Sequence, residues 1–405
     1  MAATLGTLLC ALAALYASSA WLLLRRWAER APAAQDWRPP VTVLKPLCGA
    51  EPHLEACLRS FLGQTYPGVQ IVFGVRDPAD PAIAVVQRLR AQFPHRDIEL
   101  VVDERVHGGN PKTSNLINML PYARHPVLLL SDSDVIVGPG FLGAIVQALA
   151  PKEVGAVTCL FRGRAGNGPG SRIAALFVND WYFPSVLVAR ALGNRSYASG
   201  ATIALRRETL ERIGGLQPIA DHLADDWALC NRVRQAGWRV VVSPCVADTV
   251  VHDEALRLHA WRELRWMRTI RTITPAGYAF MGLSMPLPVA LLGAWWGGLS
   301  GLALSLAALT VLLRVAIHVE QKRRLGDGLG YDLAMIPLRD CLLLAVWIGG
   351  FFGNGVGWRG KRYQLGAGGA LRVVDGSPQR AVGAAQAAGR RAPAEQASFG
   401  EPCAK

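Results

Sequence analysis

The chain has 405 residues, of which 51% are hydrophobic, and a formal net charge of +13. This length suffices for one catalytic domain of ordinary size together with membrane segments. A strongly basic chain suits nucleic acid, an anionic membrane or an anionic substrate as partner. The sequence contains no nucleic-acid-binding motif and no basic face interleaved with aromatic residues, so we expect no nucleic-acid partner.

The basic residues are instead concentrated beside apolar runs, in clusters at 25–30, 322–324 and 359–362. This distribution is typical of a membrane protein. The eight cysteines show no C-x-x-C pair and no regular spacing. We therefore expect neither a disulfide framework nor a zinc site, and a reducing compartment.

Residues 1–30 are predicted to form an N-terminal transmembrane anchor. Thr4 to Leu24 is an uncharged apolar run of about the length that crosses a bilayer. No positive segment precedes this run, and Arg25 and Arg26 follow it, which argues against a cleaved signal peptide. The positive-inside rule then places the following domain in the cytoplasm. We expect a multi-pass protein of the inner, cytoplasmic membrane.

Residues 38–260 alternate between strand-like and helical patterns. The segments VTVLKPL, QIVFGVRD, IELVVD and PVLLLSDSD have the composition of strands, and amphipathic segments such as EPHLEACLRSFLGQ separate them. This succession predicts a cytoplasmic α/β domain with a Rossmann-like, mostly parallel sheet covered by helices. Ligands bind such sheets at the carboxyl ends of the strands.

The C-terminal part is predicted to return to the membrane. Residues 261–279 are basic and aromatic, which predicts an interfacial amphipathic helix. Residues 280–317 are apolar with a glycine pair near the middle, and we expect a transmembrane helical hairpin with Arg314 snorkelling near one end. The basic stretch 318–324 is expected to be the loop that follows it.

A last apolar stretch, 333–352, contains Pro337, Arg339 and Asp340 and precedes a basic cluster. A full crossing would place that cluster outside, so the stretch is either re-entrant or a third C-terminal membrane segment. Residues 366–405 are rich in Ala, Gly, Arg and Pro, which predicts a disordered tail.

Asp132 and Asp134 follow the apolar strand PVLLL within the sequence DSD. Two carboxylates one residue apart at a strand end can hold a hard divalent cation, Mg²⁺ or Mn²⁺, and this cation can bind a diphosphate. The pattern D-x-D also arises by chance, and an aspartate after a strand often caps the next element. The position at a strand end supports the metal site, which is favoured once the other motifs below are taken into account.

Two upstream residues are candidates for donor binding. Asp77 ends the strand IVFGVR and could accept hydrogen bonds from a uracil ring, or it could cap the helix that begins near Pro81, as could Asp80. Lys112, in GGNPKTSN, offers a positive charge to a phosphate, although it could equally be an ordinary loop lysine.

Asp225 and Asp226 begin a predicted helix, where an acidic pair commonly serves as an N-cap. The alternative is a general base, because adjacent carboxylates repel one another and one pKa rises. Arg262, Arg265 and Trp266 in WRELRWMR could clamp a diphosphate and stack an acceptor, or could form a solvated face on anionic lipid.

Taken together, the motifs K-P-L, Asp77, N-P-K, DSD, ADDW and R-x-x-R-W, in this order, resemble the family 2 type of inverting glycosyltransferases. The resemblance covers roughly residues 38–365 and is greatest to the ceramide glucosyltransferase branch, and within it to the bacterial hopanoid-associated enzymes. It implies a GT-A fold, nucleotide binding at Asp77, a metal-bound diphosphate at Asp132 and Asp134, and Asp226 as base. Arg262, Arg265 and Trp266 would match the last signature.

The sequence departs from the ceramide-type pattern at Phe183, in WYFPS, where those enzymes carry a histidine before the proline. This difference puts a ceramide acceptor in doubt and favours another lipid. His252 has no counterpart that we can place, and it is either a packed or capping histidine or a residue that approaches the metal.

The resemblance implies transfer of N-acetylglucosamine or glucose from a UDP-sugar to a lipid hydroxyl, with a hopanoid polyol as the expected acceptor. Ceramide glucosylation is the alternative acceptor chemistry. A processive polysaccharide synthase is disfavoured because too few spans remain to build a channel. A membrane scaffold without chemistry is the alternative from another class, and the intact Asp134 and Asp226 argue against it.

Overall fold

A computed structural model describes residues 2–27, 37–326, 328, 332–359 and 361–374. Its central domain is built on an eight-stranded sheet with the order β3-β2-β1-β4-β7-β6-β8-β5. The strands are β1 Val41–Pro46, β2 Val69–Val75, β3 Asp97–Val102, β4 Val127–Ser131, β5 Val135–Ile136, β6 Val154–Ala165, β7 Thr202–Arg206 and β8 Arg239–Val251.

The sheet is mixed. The pairings of β1 with β2 and β4, of β2 with β3, and of β6 with β8 are parallel. Those of β7 with β4 and β6, and of β5 with β8, are antiparallel. The predicted Rossmann-like sheet is therefore present, but it is less parallel than expected, because the composition of a strand carries no information about its direction. The strands β1 and β4 are almost completely buried, as expected of strands covered on both faces.

Helices cover both faces of this sheet, with a separate apolar core on each face. They are α2 Leu54–Leu62, α3 Ala82–Gln92, α4 Pro111–Met119, α5 Phe141–Leu149, α6 Pro169–Leu176, α7 Phe183–Ala191, α8 Arg207–Arg212 and α9 Asp225–Gln235, which follow the N-terminal helix α1 Ala2–Arg26. A π-helical turn, Phe177–Tyr182, joins α6 to α7.

The C-terminal part is helical and then forms a small sheet. Its helices are α10 Leu256–Ile273, α11 Pro275–Phe280, α12 Pro286–Trp296, α13 Gly301–Leu325 and α14 Asp332–Gly350, and its strands are β9 Gly355–Trp358, β10 Lys361–Leu365 and β11 Leu371–Val373. Among the described residues, α1, α13 and α14 are long and apolar enough to cross a membrane. The segments Pro275–Ser284 and Pro286–Trp296 form a further pair, bent by 74°.

Small residues allow α1 to pack closely against α12. A Cβ atom added at Gly6 would lie 2.1 Å from the backbone nitrogen of Gly297. Cys10 donates a hydrogen bond from its thiol to the carbonyl oxygen of Ala290. Close backbone approach through small residues is the usual way in which helices associate in a membrane.

Several predicted boundaries differ from the structure. The interfacial helix begins at Leu256, not at 261, and the second hairpin helix continues through the expected loop 318–324 as far as Leu325. Arg314 does not snorkel, because its side chain is buried in ion pairs with Asp180 and Asp340. Residues 366–374 are folded, since β11 pairs with β10. The rest of the predicted disordered tail, 375–405, lies outside the described residues.

The start of α14 and the strands that follow it both contact the central domain. Asp332, at the start of the helix, is 3.1 Å from Arg172 of α6. Beyond the helix, Arg359 donates to the carbonyl oxygen of Cys48, and the amide of Leu371 donates to Asp221. The helix is continuous, with no hairpin, and its length and composition also suit the alternative of a third C-terminal membrane segment.

Candidate active site

Acidic side chains from β4 and α9 meet at the carboxyl edge of the sheet, and Lys112 joins them. Its ammonium group lies 2.7 Å from Asp132 and 3.0 Å from Asp225. Burial lowers the pKa of Lys112, but the two carboxylates outweigh it and raise this pKa above its ordinary value. In this structure Lys112 therefore bridges two acids instead of standing free for a phosphate.

The position of Lys112 is fixed by the start of α4. Asn110 caps this helix, and its side-chain oxygen accepts hydrogen bonds from the amides of Lys112 and Thr113 at 2.9 and 3.0 Å. Pro111 occupies the first helical turn, where no amide hydrogen is needed. The sequence NPK therefore places a lysine reproducibly over the carboxylates.

A second lysine was not assigned from the sequence. Lys45 lies in β1, is completely buried, and donates to the carbonyl oxygen of Asp132 at 2.7 Å and to the hydroxyl of Ser131 at 3.3 Å. Burial lowers its pKa to about 8. Its signal in the sequence is a lone lysine inside the apolar strand VTVLKP, because a buried charge without a function is rarely tolerated there.

The acidic groups carry more negative charge than the two lysines balance. Burial and the neighbouring Asp132 raise the pKa of Asp134 to about 6. Burial and the adjacent Asp225 raise the pKa of Asp226 to about 6. A Cβ atom added at Gly200 would lie 3.1 Å from Asp132 and 3.7 Å from Asp226, so a side chain here would crowd these carboxylates.

The N-capping alternative for the acidic pair is not what the structure shows. The residue at the cap position of α9 is Ala224, and no side chain caps the helix. The Asp226 carboxylate instead accepts a hydrogen bond from the amide of Trp227 at 2.7 Å. Asp226 also lines the cavity, as a general base requires.

The residues present fit a divalent cation. The carboxyl groups of Asp132 and Asp134 are hard oxygen ligands, and the raised pKa of Asp134 means that a nearby positive charge would stabilise its ionised form. Both ring nitrogens of His252 are buried without a hydrogen-bond partner, and Nε2 lies 3.6 Å from Glu51. Within the described parts of the chain, however, no three His, Cys, Asp or Glu side chains form a complete ligand set.

The two aspartates after β2 have different surroundings. Asp80 accepts hydrogen bonds from the amide of Gly49 at 3.0 and 2.9 Å and from that of Ala82 at 2.8 Å, so it holds a loop against the start of α3. Asp77 is exposed, accepts one hydrogen bond from the amide of Ala79, and lines the cavity. The capping alternative therefore describes Asp80, and Asp77 remains open to a ligand.

The basic helix α10 forms another wall of the site. Arg262 is paired with Glu254 at 2.7 Å, and the guanidinium of Arg265 lies 5.7 Å from the ring centre of Trp358. Burial, Arg262 and Arg359 together lower the pKa of Arg265 to about 10. Trp266 packs against Phe177, with ring centres 5.6 Å apart.

One large cavity, of about 2600 Å³, connects all of these groups. Asp77 lies in its wall, as do the four aspartates of the acidic edge and the predicted residues of α10. The same cavity is also lined by apolar side chains of α1, including Leu12 and Leu15, and by Leu283. The structure thus brings every predicted site residue to a single cavity that continues to a membrane-type helix.

Comparison with known proteins agrees with this geometry. The sequence profile of glycosyl transferase family 21 matches residues 5–371. The chain is 25% identical over 233 residues to ceramide glucosyltransferase 1 of Caenorhabditis elegans, which is 56% of this chain and 50% of that protein. It is 36% identical over 121 residues to the ceramide glucosyltransferase of Candida albicans, which is 27% of this chain and 22% of that protein.

The chain therefore spans half the length or less of these curated relatives. Among solved structures, it resembles a mannosyltransferase of Pyrobaculum calidifontis in complex with GDP-Man and Mn²⁺, with a TM-score of 0.52 and 20% identity. This likeness covers 87% of this chain and 99% of that one. It establishes the predicted GT-A fold, and the profile match over most of the chain shows that the protein belongs to glycosyl transferase family 21.

Proposed function

We propose that this protein is a membrane-bound inverting glycosyltransferase that moves a hexose from a UDP-sugar to a hydroxyl group of a lipid. The observation that carries the proposal is the single cavity, which joins Asp226 to the apolar side chains of Leu12 and Leu15 on α1. A cavity with acids at one end and a membrane helix at the other suits an acceptor whose head is polar and whose body is apolar.

Ceramide and glucose are the acceptor and donor sugar best supported by the relatives, which are named ceramide glucosyltransferases. A polyhydroxylated hopanoid, with glucose or N-acetylglucosamine, is the second candidate. The observation that favours it is Phe183, which is 2% exposed and packs edge-on against Trp27. This position therefore offers an acceptor no polar group, unlike the histidine of ceramide-type enzymes.

In the proposed mechanism, Asp226 removes the proton of the acceptor hydroxyl, whose oxygen attacks the anomeric carbon in line with the departing UDP. Asp225, held by Lys112, keeps negative charge beside Asp226 and so keeps it basic. Arg262 and Arg265 would bind the leaving diphosphate, and Trp266 would flank the acceptor. Asp77 would bind the uracil ring.

Asp132 and Asp134 would hold a divalent cation, which supplies charge neutralisation of the diphosphate when it is bound. The proposal is supported by the carboxylate pair and its raised pKa, and by the Mn²⁺ in the solved mannosyltransferase of the same fold. Most of the rate acceleration would come from positioning and electrostatic stabilisation. UDP needs no protonation to leave, so one base suffices.

We further propose that the catalytic domain faces the cytoplasm at the inner membrane, with three crossings of the bilayer by α1, the bent pair Pro275–Ser284 and Pro286–Trp296, and α13. The start of α14 and the strands that follow it both contact the central domain, which supports a membrane-associated helix that does not cross. Cysteines introduced at Gly326 and Gly355 should then both resist labelling from outside intact cells. Labelling at Gly355 alone would show that α14 spans.

The proposed reaction can be tested with the purified full chain in lipid nanodiscs. UDP-glucose and UDP-N-acetylglucosamine are supplied separately, with Mn²⁺, together with ceramide or a hopanoid tetrol. We expect mass spectrometry to detect one hexose added to ceramide, and none with Asp226→Asn. Product formed only on the hopanoid would select the second candidate, and release of UDP without any glycolipid would contradict lipid glycosylation.

A further inference from the structure

The small sheet at the C-terminal end contributes Trp358, Arg359 and Tyr363 to the lining of the cavity. We call the strands β9 to β11 and the described residues between them, 355–359 and 361–373, the C-terminal strap. On one side, the amide of Leu371 donates to Asp221 at 2.6 Å and that of Leu223 donates to Gly369 at 3.0 Å. On the other side, Arg359 reaches the loop after β1. The strap is therefore fastened to two loops that flank the acidic edge.

Arg359 lies in the turn between β9 and β10 and has an unusual backbone. Its φ angle is +50°, although it is not a glycine. Such a conformation is strained for an L-residue and is often found at ligand-binding positions. The strain directs a long cationic side chain back toward the central domain, where it lines the cavity.

The guanidinium of Arg359 is only partly occupied by protein groups. One nitrogen, Nη1, donates to the carbonyl oxygen of Cys48 at 3.0 Å and lies 3.5 Å from Glu51. Its other nitrogens make no hydrogen bond with any described residue, and 41% of the side chain is exposed. A guanidinium presents five donors in a planar fork, so most of its capacity is free for an anion.

Arg359 lines the same cavity as the groups that are proposed to handle the diphosphate. Its partner Glu51 lies in the wall of this cavity together with Asp134. Arg359 also contributes to the lowered pKa of Arg265, which also stacks on Trp358 of the strap. Like charges crowded in this way are stabilised by a ligand that carries more than one negative charge.

We propose that Arg359 is a donor-binding residue, whose guanidinium binds the diphosphate of the nucleotide sugar together with Arg265. This inference deepens the proposed function, on which it rests for the identity of the donor. The strap is thus a part of the donor site, although the sequence had suggested a membrane-surface cluster for 359–362. Trp358, against which Arg265 packs, is a positioning residue in the same element.

A phosphate in a lipid headgroup has the same chemistry as the diphosphate, so the test must separate the two sources. Arg359→Gln is compared with Arg362→Gln, a matched control from the same strap whose exposed side chain does not line the cavity. Each full-length variant is titrated with UDP and with uridine, in the presence of Mn²⁺. Flotation with vesicles that contain phosphatidylglycerol measures the binding of each variant to a lipid phosphate.

We expect Arg359→Gln to weaken UDP binding about tenfold, the scale of a lost charged hydrogen bond, with uridine binding unchanged. Arg359→Lys should lose about threefold, because it keeps the charge but not the fork. Arg362→Gln should bind UDP as the wild type does. If Arg359→Gln is poorly folded, the UDP affinity of Arg359→Lys decides whether Arg359 binds the donor.

UDP affinity that is unchanged in both Arg359 variants would overturn the assignment. So would weaker flotation with unchanged UDP binding, which would assign Arg359 to a lipid headgroup. Equal losses of UDP and uridine would also contradict it, because they would indicate a general disturbance of the site. These titrations require no acceptor, so their outcome does not depend on whether a glycolipid product is found.

Discussion

Two regions of this molecule bury charged side chains, and they do so in different ways. Among the helices that are long and apolar enough to cross a membrane, Arg314 of α13 is held by Asp180 at 2.9 Å and by both oxygens of Asp340 at 3.0 Å. Nearby, Arg339 makes a two-bond pair with Glu263 at 2.7 and 2.8 Å. We call these five residues the membrane ion network. Each charged group in it has a partner of opposite sign.

In the acidic edge of the sheet, Lys112 pairs with Asp132 and Asp225, whereas Asp134 and Asp226 form no ion pair with any described residue. Asp132, Asp134, Asp225 and Asp226 face two lysines, and the pKa values of Asp134 and Asp226 are both raised to about 6. The comparison teaches that buried charge alone does not identify a functional site. Paired charge fixes the relative position of helices, whereas unpaired charge of one sign is ready for a cation or a proton.

The largest effect is expected at the metal position of the acidic edge. Asp134→Ala should abolish sugar transfer, since it removes a proposed ligand, and should leave the thermal transition of the protein in place. UDP-sugar binding should also lose its dependence on Mn²⁺, as measured by titration with and without chelator. Metal-dependent affinity equal to that of the wild type would show that the cation is held elsewhere.

Asp226→Asn should keep UDP-sugar affinity within a few fold but lower kcat by about 100-fold or more, the usual scale for a positioned base. Asp225→Asn is the matched comparison, because it alters the neighbouring carboxylate and leaves the base in place. Steady-state kinetics with saturating lipid measures both. Near-normal kcat in Asp226→Asn, with a large loss in Asp225→Asn, would assign the role of general base to Asp225.

A substitution in the membrane ion network should affect folding and not chemistry. Arg314→Met leaves Asp180 and Asp340 without their partner, and breaking a buried pair costs about 3–5 kcal/mol. We expect a lower melting temperature in detergent, with normal UDP affinity in the folded fraction. Arg323→Met on the same helix, whose side chain is 76% exposed, is the control and should melt as the wild type does. A stable Arg314→Met protein that cannot bind UDP would contradict the division between the two regions.

The smallest predicted effect is a shift in pH dependence. Asp226 acts as a base only when ionised, and burial together with Asp225 raises its pKa to about 6. At saturating metal, kcat/KM should therefore fall as the pH drops below about 6. Asp225→Asn removes the like charge, so the acid limb should move to lower pH, by about one unit or less. An acid limb at the same pH in that variant would show that Asp225 does not raise the pKa of Asp226.

Much of the acidic edge could be predicted because its residues follow recognisable strands and helices. The pattern PVLLLSDSD implies a buried strand with acids at its carboxyl end, and ADDW implies a helix start, so their meeting at one sheet edge follows from the fold. The bridging role of Lys112 could not be predicted, because it depends on the distance between two separate elements.

The membrane ion network and the strap could not be predicted for the same reason. The partners Asp180 and Arg314 are 134 positions apart, and local hydropathy cannot detect such a pair. Without its partners, Arg314 was expected to reach the membrane surface. The strap forms only because β11 and the turn before it pair with loops of the central domain, and the composition of that segment had suggested disorder.

The central claim is that the unpaired carboxylates of the acidic edge catalyse transfer of a sugar to a lipid. The most direct test is mass spectrometry of total lipids from cells that express the wild type or Asp226→Asn at equal, folded levels. We predict a lipid species enlarged by one hexose in the wild-type membranes and its absence with the variant. The same glycolipid at equal abundance in both would contradict the account.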